Sequence, residues 1–112
     1  MGTSKLHNYN KKQLSLATIT HALAHPARIA ILQFISIQKS CICGSIVDEL
    51  SLSQATISQH LKVLKEAGLL KGTISGASTC YCINEKEWEK AKVLLHQFMN
   101  TKFNAPNTSC CS

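Results

Sequence analysis

Residues 50–72 read LSLSQATISQHLKVLKEAGLLKG, and this stretch decides the fold. Ser53 is placed to accept from the amide of Thr56 as an N-cap, and Gly68 to end a helix in a left-handed conformation, so a helix is predicted over 54–67. Ile57, Leu61 and Leu64 recur at i, i+4 and i+7 and mark one buried face. Ala55, Ser58, Gln59 and Lys62 fall opposite, on a face that is small, polar and basic. Just upstream, 45–50 (SIVDEL) predicts a short helix, separated by the turn 51–53. Downstream, 69–74 and 78–83 are β-prone and flank Ser75-Gly76-Ala77, which predicts a hairpin. Short helix, tight turn, longer helix and hairpin together form a helix-turn-helix with a wing.

A helix that enters a major groove must be slim on its outer face and carry donors and acceptors there. Ser53, Gln54, Thr56, Ser58 and Gln59 supply these at base-edge height, while Lys62 and Lys65 reach phosphates. His60 lies on the same helix. With His21 and His25 it reads as a cap, a packing group or a phosphate contact rather than as a metal ligand. An ordinary surface helix would also have a solvated polar side, but this one carries no acidic residue before Glu66.

Working outward, a helix is predicted over 13–24, broken at His25-Pro26, and Pro26 opens a second over 27–37. Ile29, Ala30, Ile31, Leu32, Phe34 and Ile35 make the second helix apolar nearly all round, which predicts a place at the centre of the core. Asn84 caps a final helix with Glu87 three residues on, and Trp88, Ala91, Leu95, Phe98 and Met99 give it an apolar stripe. The fold class is therefore mainly α with a small β-wing, a winged helix-turn-helix over 13–100. Residues 1–12 read as a flexible arm and 101–112 as a mobile, cysteine-containing tail.

The bulk numbers agree. A chain of 112 residues, 45% hydrophobic, is enough for one modest core. Its apolar runs are too short for a membrane span and its first residues lack the apolar segment of a secretion signal, so a cytoplasmic protein without a membrane partner is expected. Twelve Lys and Arg against six Asp and Glu, a net +6, favour a polyanionic partner such as nucleic acid. No nucleophile sits beside a base, so no enzymatic activity is expected.

The six cysteines come in three groups: Cys41 and Cys43 in SCICGS, Cys80 and Cys82 in TCYCIN, and Cys110 and Cys111 in SCCS. In a reducing compartment such spacing points to metal binding or redox sensing more than to disulfide staples. If the segment holding Cys41 and Cys43 adds as a strand to the hairpin, alternation puts each pair on one face, with strands about 4.8 Å apart. Four sulfurs can then cluster. As(III) and Sb(III) are soft centres that bond three sulfurs, which these groups can supply. Cross-strand Cβ separations of about 4.5–5.5 Å exceed the mean of about 3.8 Å in a relaxed disulfide, so bridging by an ion is expected over direct oxidation. The alternatives are a Cys₄ zinc site, a thiol-redox switch and structural burial of the thiols. A metalloid-sequestering protein is the rival from another class.

The segment 50–72, with HALAHPARIAIL over 21–32, resembles the ArsR/SmtB family of bacterial winged-helix repressors, and the resemblance runs from about Leu14 to Trp88. It implies a homodimer paired through its first and last helices, bound to a palindromic operator and released when a metal or metalloid arrives. It further implies genes of arsenic efflux and detoxification as targets. The inducer would be As(III), Sb(III) or an organoarsenical, with zinc or cadmium as alternatives. The family's arsenic pattern Cys-x-Cys-x-x-Cys is matched by Cys41 and Cys43, but Ile46 stands at the third place. A further ligand would come from Cys80 or Cys82, or from Cys110 and Cys111. The family's zinc site uses Asp and His, and the last helix offers only His96. The wing segment TISGAS lacks the family's basic tip, which leaves Lys71 as its nearby cation.

Overall fold

A computed structural model describes residues 8–38, 41–43, 52–73 and 80–103. The order is α1 (Lys11–Leu23), α2 (Pro26–Ser36), β1 (Ile42–Cys43), α3 (Gln54–Glu66), β2 (Leu70–Thr73), β3 (Cys80–Ile83) and α4 (Glu85–Met99). The short helix expected over 45–50, most of the wing loop and the cysteines at 110 and 111 lie outside the described residues.

Local chemistry accounts for each boundary. α1 starts two residues before the expected Gln13, because Asn10 forms a complete capping box: its Oδ1 accepts from the Gln13 amide at 2.8 Å and its own amide donates to Gln13 Oε1 at 2.9 Å. α2 opens with Pro26 at its first position, and His25 Nδ1 accepts from the Ala27 amide at 3.0 Å. α3 is capped by Ser53, whose Oγ accepts from the Thr56 amide at 3.2 Å. Its C-terminus closes in a Schellman motif. Gly68, at φ 88°, donates to the Lys65 carbonyl at 2.9 Å, and Leu69 donates to the Leu64 carbonyl at 3.0 Å. Asn84 caps α4 through the Glu87 amide at 3.3 Å, and Glu85 and Glu87 in the first turn complement the helix dipole.

The sheet is antiparallel with strand order β1-β3-β2. Ile42 pairs with Tyr81 and Cys43 with Cys80, while Lys71 faces Cys82 and Gly72 faces Tyr81. Tyr81 points into the core. On its other side it leaves a row of register partners for the thiols.

The core gathers Ile19 and Ala22 of α1, Ile31, Leu32 and Ile35 of α2, Ile57, Leu61 and Leu64 of α3, Leu69 and Leu70 at the start of the hairpin, Tyr81 of β3 and Ala91 of α4. The three α3 positions are those expected from periodicity. α2 departs from expectation. Its buried residues lie on one face, whereas Ile29 is 45% and Ile37 76% exposed, because α1, α3 and β3 pack against a single side of it. The stripe of α4 also thins toward its end: Trp88, Leu94 and Leu95 are half-buried against the core while Phe98 and Met99 are exposed.

Candidate nucleic-acid interface and thiol pair

α3 presents Gln54, Ala55, Gln59, Lys62 and Lys65 to solvent, with Thr56, Ser58 and His60 half-buried. Several of these side chains already have local partners. Ser53 Oγ donates to Thr56 Oγ1 at 2.8 Å, and Gln54 Nε2 donates to Ser58 Oγ at 3.4 Å. Gln59 is exposed on the helix with Lys62 and Lys65. Among the described residues neither lysine is ion-paired, the only pairs being the surface contacts Lys90–Glu87 and Lys92–Glu89. Two uncommitted cations following an exposed amide along the helix suit a polyanion that offers phosphates beside base edges.

His60 sits differently from the others. Arg28 Nε donates to its Nδ1 at 3.2 Å, and its ring lies 4.5 Å from that of His25, tilted by 50°. Arg28 also donates to the His21 carbonyl at 3.0 Å. A guanidinium only donates, so His60 Nδ1 must be the unprotonated nitrogen. Partial burial first, then the neighbouring His25 and Arg28, push His60 below the ordinary histidine pKa. His60 therefore ties α3 to α2. Sequence reasoning missed Arg28, whose partner lies 32 residues away. The available signal was HPAR, a histidine N-cap and helix-opening proline that set Arg28 one turn into α2.

The thiols come together as the register requires. Cys41 and Cys82 are 4.5 Å apart at Cα and joined as a disulfide, and Cys80, opposite Cys43 in the ladder, is disulfide-bonded as well. This overturns the expectation that strand spacing disfavours direct oxidation. A Cα separation of 4.5 Å belongs to the closer, non-hydrogen-bonded class of antiparallel pair, and it falls within the roughly 4.4–6.8 Å range that disulfides occupy. Cys41 is exposed, and Cys80 and Cys82 are half-buried. No group of three His, Cys, Asp or Glu side chains placed to hold a metal occurs among the described residues. The pair borders a cavity of about 410 Å³ that also meets Ile35, Lys71, Ile83, Glu85 and Trp88. In donor chemistry, soft sulfurs from two strands suit a thiophilic ion once reduced.

A recognition helix with a bare basic face, held by a second helix and backed by a three-stranded wing, defines a winged-helix DNA-binding protein. Known proteins agree. Residues 25–71 match the model of the bacterial regulatory protein, arsR family. The chain is 39% identical over 74 residues to an uncharacterised HTH-type transcriptional regulator of Methanocaldococcus jannaschii, covering 65% of this chain and 82% of that one. It is 31% identical over 71 residues to the arsenical resistance operon repressor of Staphylococcus xylosus, covering 63% and 67%. It is 41% identical over 63 residues to the HTH-type transcriptional repressor SmtB of Mycobacterium tuberculosis, covering 56% of this chain and 46% of that repressor's length. The chain belongs to the ArsR family and is a DNA-binding transcriptional regulator. No helix among the described residues is long and apolar enough to cross a membrane.

Proposed function

We propose that this protein is a homodimeric repressor of metalloid-resistance genes, released from a palindromic operator when As(III), Sb(III) or an organoarsenical binds its cysteine thiolates. The observation that carries this reading is the antiparallel register that sets the Cys41–Cys43 segment, just before the helix-turn-helix, beside the Cys80–Cys82 strand of the wing. The similarity to an arsenical resistance operon repressor supports the choice of inducer. Cys41, Cys43, Cys80 and Cys82 are the proposed ligands, with Cys110 and Cys111 as further donors. On the DNA side, Ser53, Gln54, Thr56, Ser58 and Gln59 read base edges while Lys62 and Lys65 hold phosphates. His60 positions the helix through Arg28. Pairing through α1 and α4 is supported by bare apolar groups at the ends of these helices: Tyr9, just before α1, is 53%, and Phe98 58% and Met99 75% exposed at the end of α4.

The Cys41–Cys82 bond favours thiol oxidation as a second reading. One experiment separates them: release of fluorescent operator DNA by the reduced protein, titrated with arsenite, antimonite, phenylarsine oxide, zinc, cadmium and peroxide. Arsenicals are expected to release the DNA, and Cys41→Ser with Cys43→Ser to abolish that response without loss of operator binding. Gln59→Ala is expected to weaken operator binding while leaving arsenite binding intact. Unchanged release from the double cysteine variant would remove these thiols from the sensor.

A further inference from the structure

We infer that the cavity beside Cys41 and Cys82 is a docking and exchange site for a small zwitterionic thiol, an amino-acid or short peptide thiol bearing a carboxylate and an ammonium group. The inference rests on the redox reading of this pair and is independent of metalloid response. Cys41 and Cys82 both line the cavity and Cys41 is exposed, so a small nucleophile, and not only a protein reductant, has access to the bonded pair. The cavity, about 410 Å³, falls within the roughly 300–1,000 Å³ typical of small-molecule sites. Its charged groups are one of each sign, Lys71 and Glu85, and both are exposed on their own elements and free of ion pairs among the described residues. Ile35, Ile83 and Trp88 supply an apolar wall for the methylene that carries the incoming sulfur.

The register also orders the chemistry. Cys41, just before β1, is bonded to Cys82 of β3, and Lys71 of β2 is the direct register partner of Cys82, so Cys82 stands between the other two. Peroxide first oxidises the two thiols to the disulfide, becoming two waters. A thiolate R–S⁻, its proton left to solvent, then attacks the sulfur of Cys41, the more exposed of the two. The Cys41–Cys82 bond breaks, R–S–S–Cys41 forms, and the electron pair leaves on Cys82 as a thiolate facing the Lys71 ammonium. The Lys71 ammonium, register partner of Cys82, stabilises the negative charge that develops on that sulfur, so the lysine fixes which sulfur is expelled. A second R–S⁻ attacks the mixed disulfide, giving R–S–S–R and the reduced pair. The small-thiol pool thereby returns these sulfurs to the dithiol form.

The test uses the full-length protein oxidised with peroxide, then mixed with glutathione or with neutral 2-mercaptoethanol at equal thiolate concentration, quenched in acid and mapped by tandem mass spectrometry. Glutathione is expected to open the bond about tenfold faster, with the adduct on Cys41. Lys71→Gln should slow both thiols about threefold or more, whereas Glu85→Gln should slow glutathione alone. Equal rates for the two thiols, or an adduct on Cys82, would overturn the inference. Failure of peroxide to join Cys41 to Cys82 would overturn it at the earlier step, by removing the redox reading itself. Arsenite-induced DNA release, measured on the same reduced sample, reports separately on the metalloid reading.

Discussion

Replacing Gly72 with alanine tests the packing that holds the thiol strands together. Gly72 has φ 122°, outside the range an L-residue adopts readily, and a Cβ there would collide with the Cys80 carbonyl oxygen and lie 2.9 Å from Tyr81 Cα. Both obstacles are backbone, so neither can rotate away. Left-handed strain alone costs about 1–3 kcal/mol, and parting β2 from β3 to relieve the collision loses ladder hydrogen bonds of about 1 kcal/mol each. The sum is about 3 kcal/mol, a large share of the roughly 5–15 kcal/mol that stabilises a domain. For a domain this size it lowers the melting temperature by about 12 °C or more. Gly68→Ala is the internal control. Gly68 is also left-handed, at φ 88°, but its Cβ would meet only the Glu87 side chain at 3.8 Å, so strain acts without collision. The expected loss there is about 1 kcal/mol, or about 4–8 °C. Thermal melts followed by circular dichroism under reducing conditions give both numbers. If Gly72→Ala melts no lower than Gly68→Ala, the close approach of β2 to β3 is not what fixes this glycine.

Two further perturbations probe the core and the link between the helices. Tyr81 is buried, which raises its pKa, and its hydroxyl has no hydrogen-bond partner among the described residues, so Tyr81→Phe removes a desolvated group at no packing cost. The variant is expected to be as stable as the parent or more so by about 1 kcal/mol, and a fall in denaturation midpoint would show that the hydroxyl is bonded. His60 has a folded-state pKa below its unfolded value, so the stability it contributes is present above about pH 6.5 and is lost as pH falls through the folded value. Thermal melts across that range should show the parent losing stability on acidification and His60→Gln losing less of it; equal slopes would place the titration elsewhere.

How much of this was legible depends on the range over which each determinant acts. α3 could be read almost residue by residue, because its cap at Ser53, its stop at Gly68 and its buried Ile57, Leu61 and Leu64 are all set within one helix. The pairing of Cys41 with Cys82 followed from strand alternation, yet its chemical outcome did not. Whether a cross-strand pair is of the close or the wide kind depends on ladder phase, which the sequence does not carry. Arg28 with His60 was invisible for another reason: only the crossing of two helices brings them together, across 32 residues of sequence. α2 misled because a run of isoleucines looks buried on every side, while only tertiary packing decides which side stays open.

The architecture gives the proposed sensing a short mechanical path. β3 is the middle strand, joined to the thiol strand β1 on one side and to β2 on the other. β2 continues from α3 through the two bonds of the Schellman turn, and β3 runs into α4 beside the bond from the Asn84 amide to the Leu69 carbonyl at 3.0 Å. A shift of β1 against β3 therefore meets α3, the proposed reading helix, across one strand and one tight turn. The same helix is held on its other flank by Arg28 through His60. Of the polar restraints on α3, the 3.2 Å Arg28–His60 contact is weaker than the two-bond turn, so α3 should pivot about the turn and its core residues Ile57, Leu61 and Leu64 and give at that contact. Coupling of about 1–3 kcal/mol is typical between such sites and is comparable to one hydrogen bond to a charged group, so the displacement required is small.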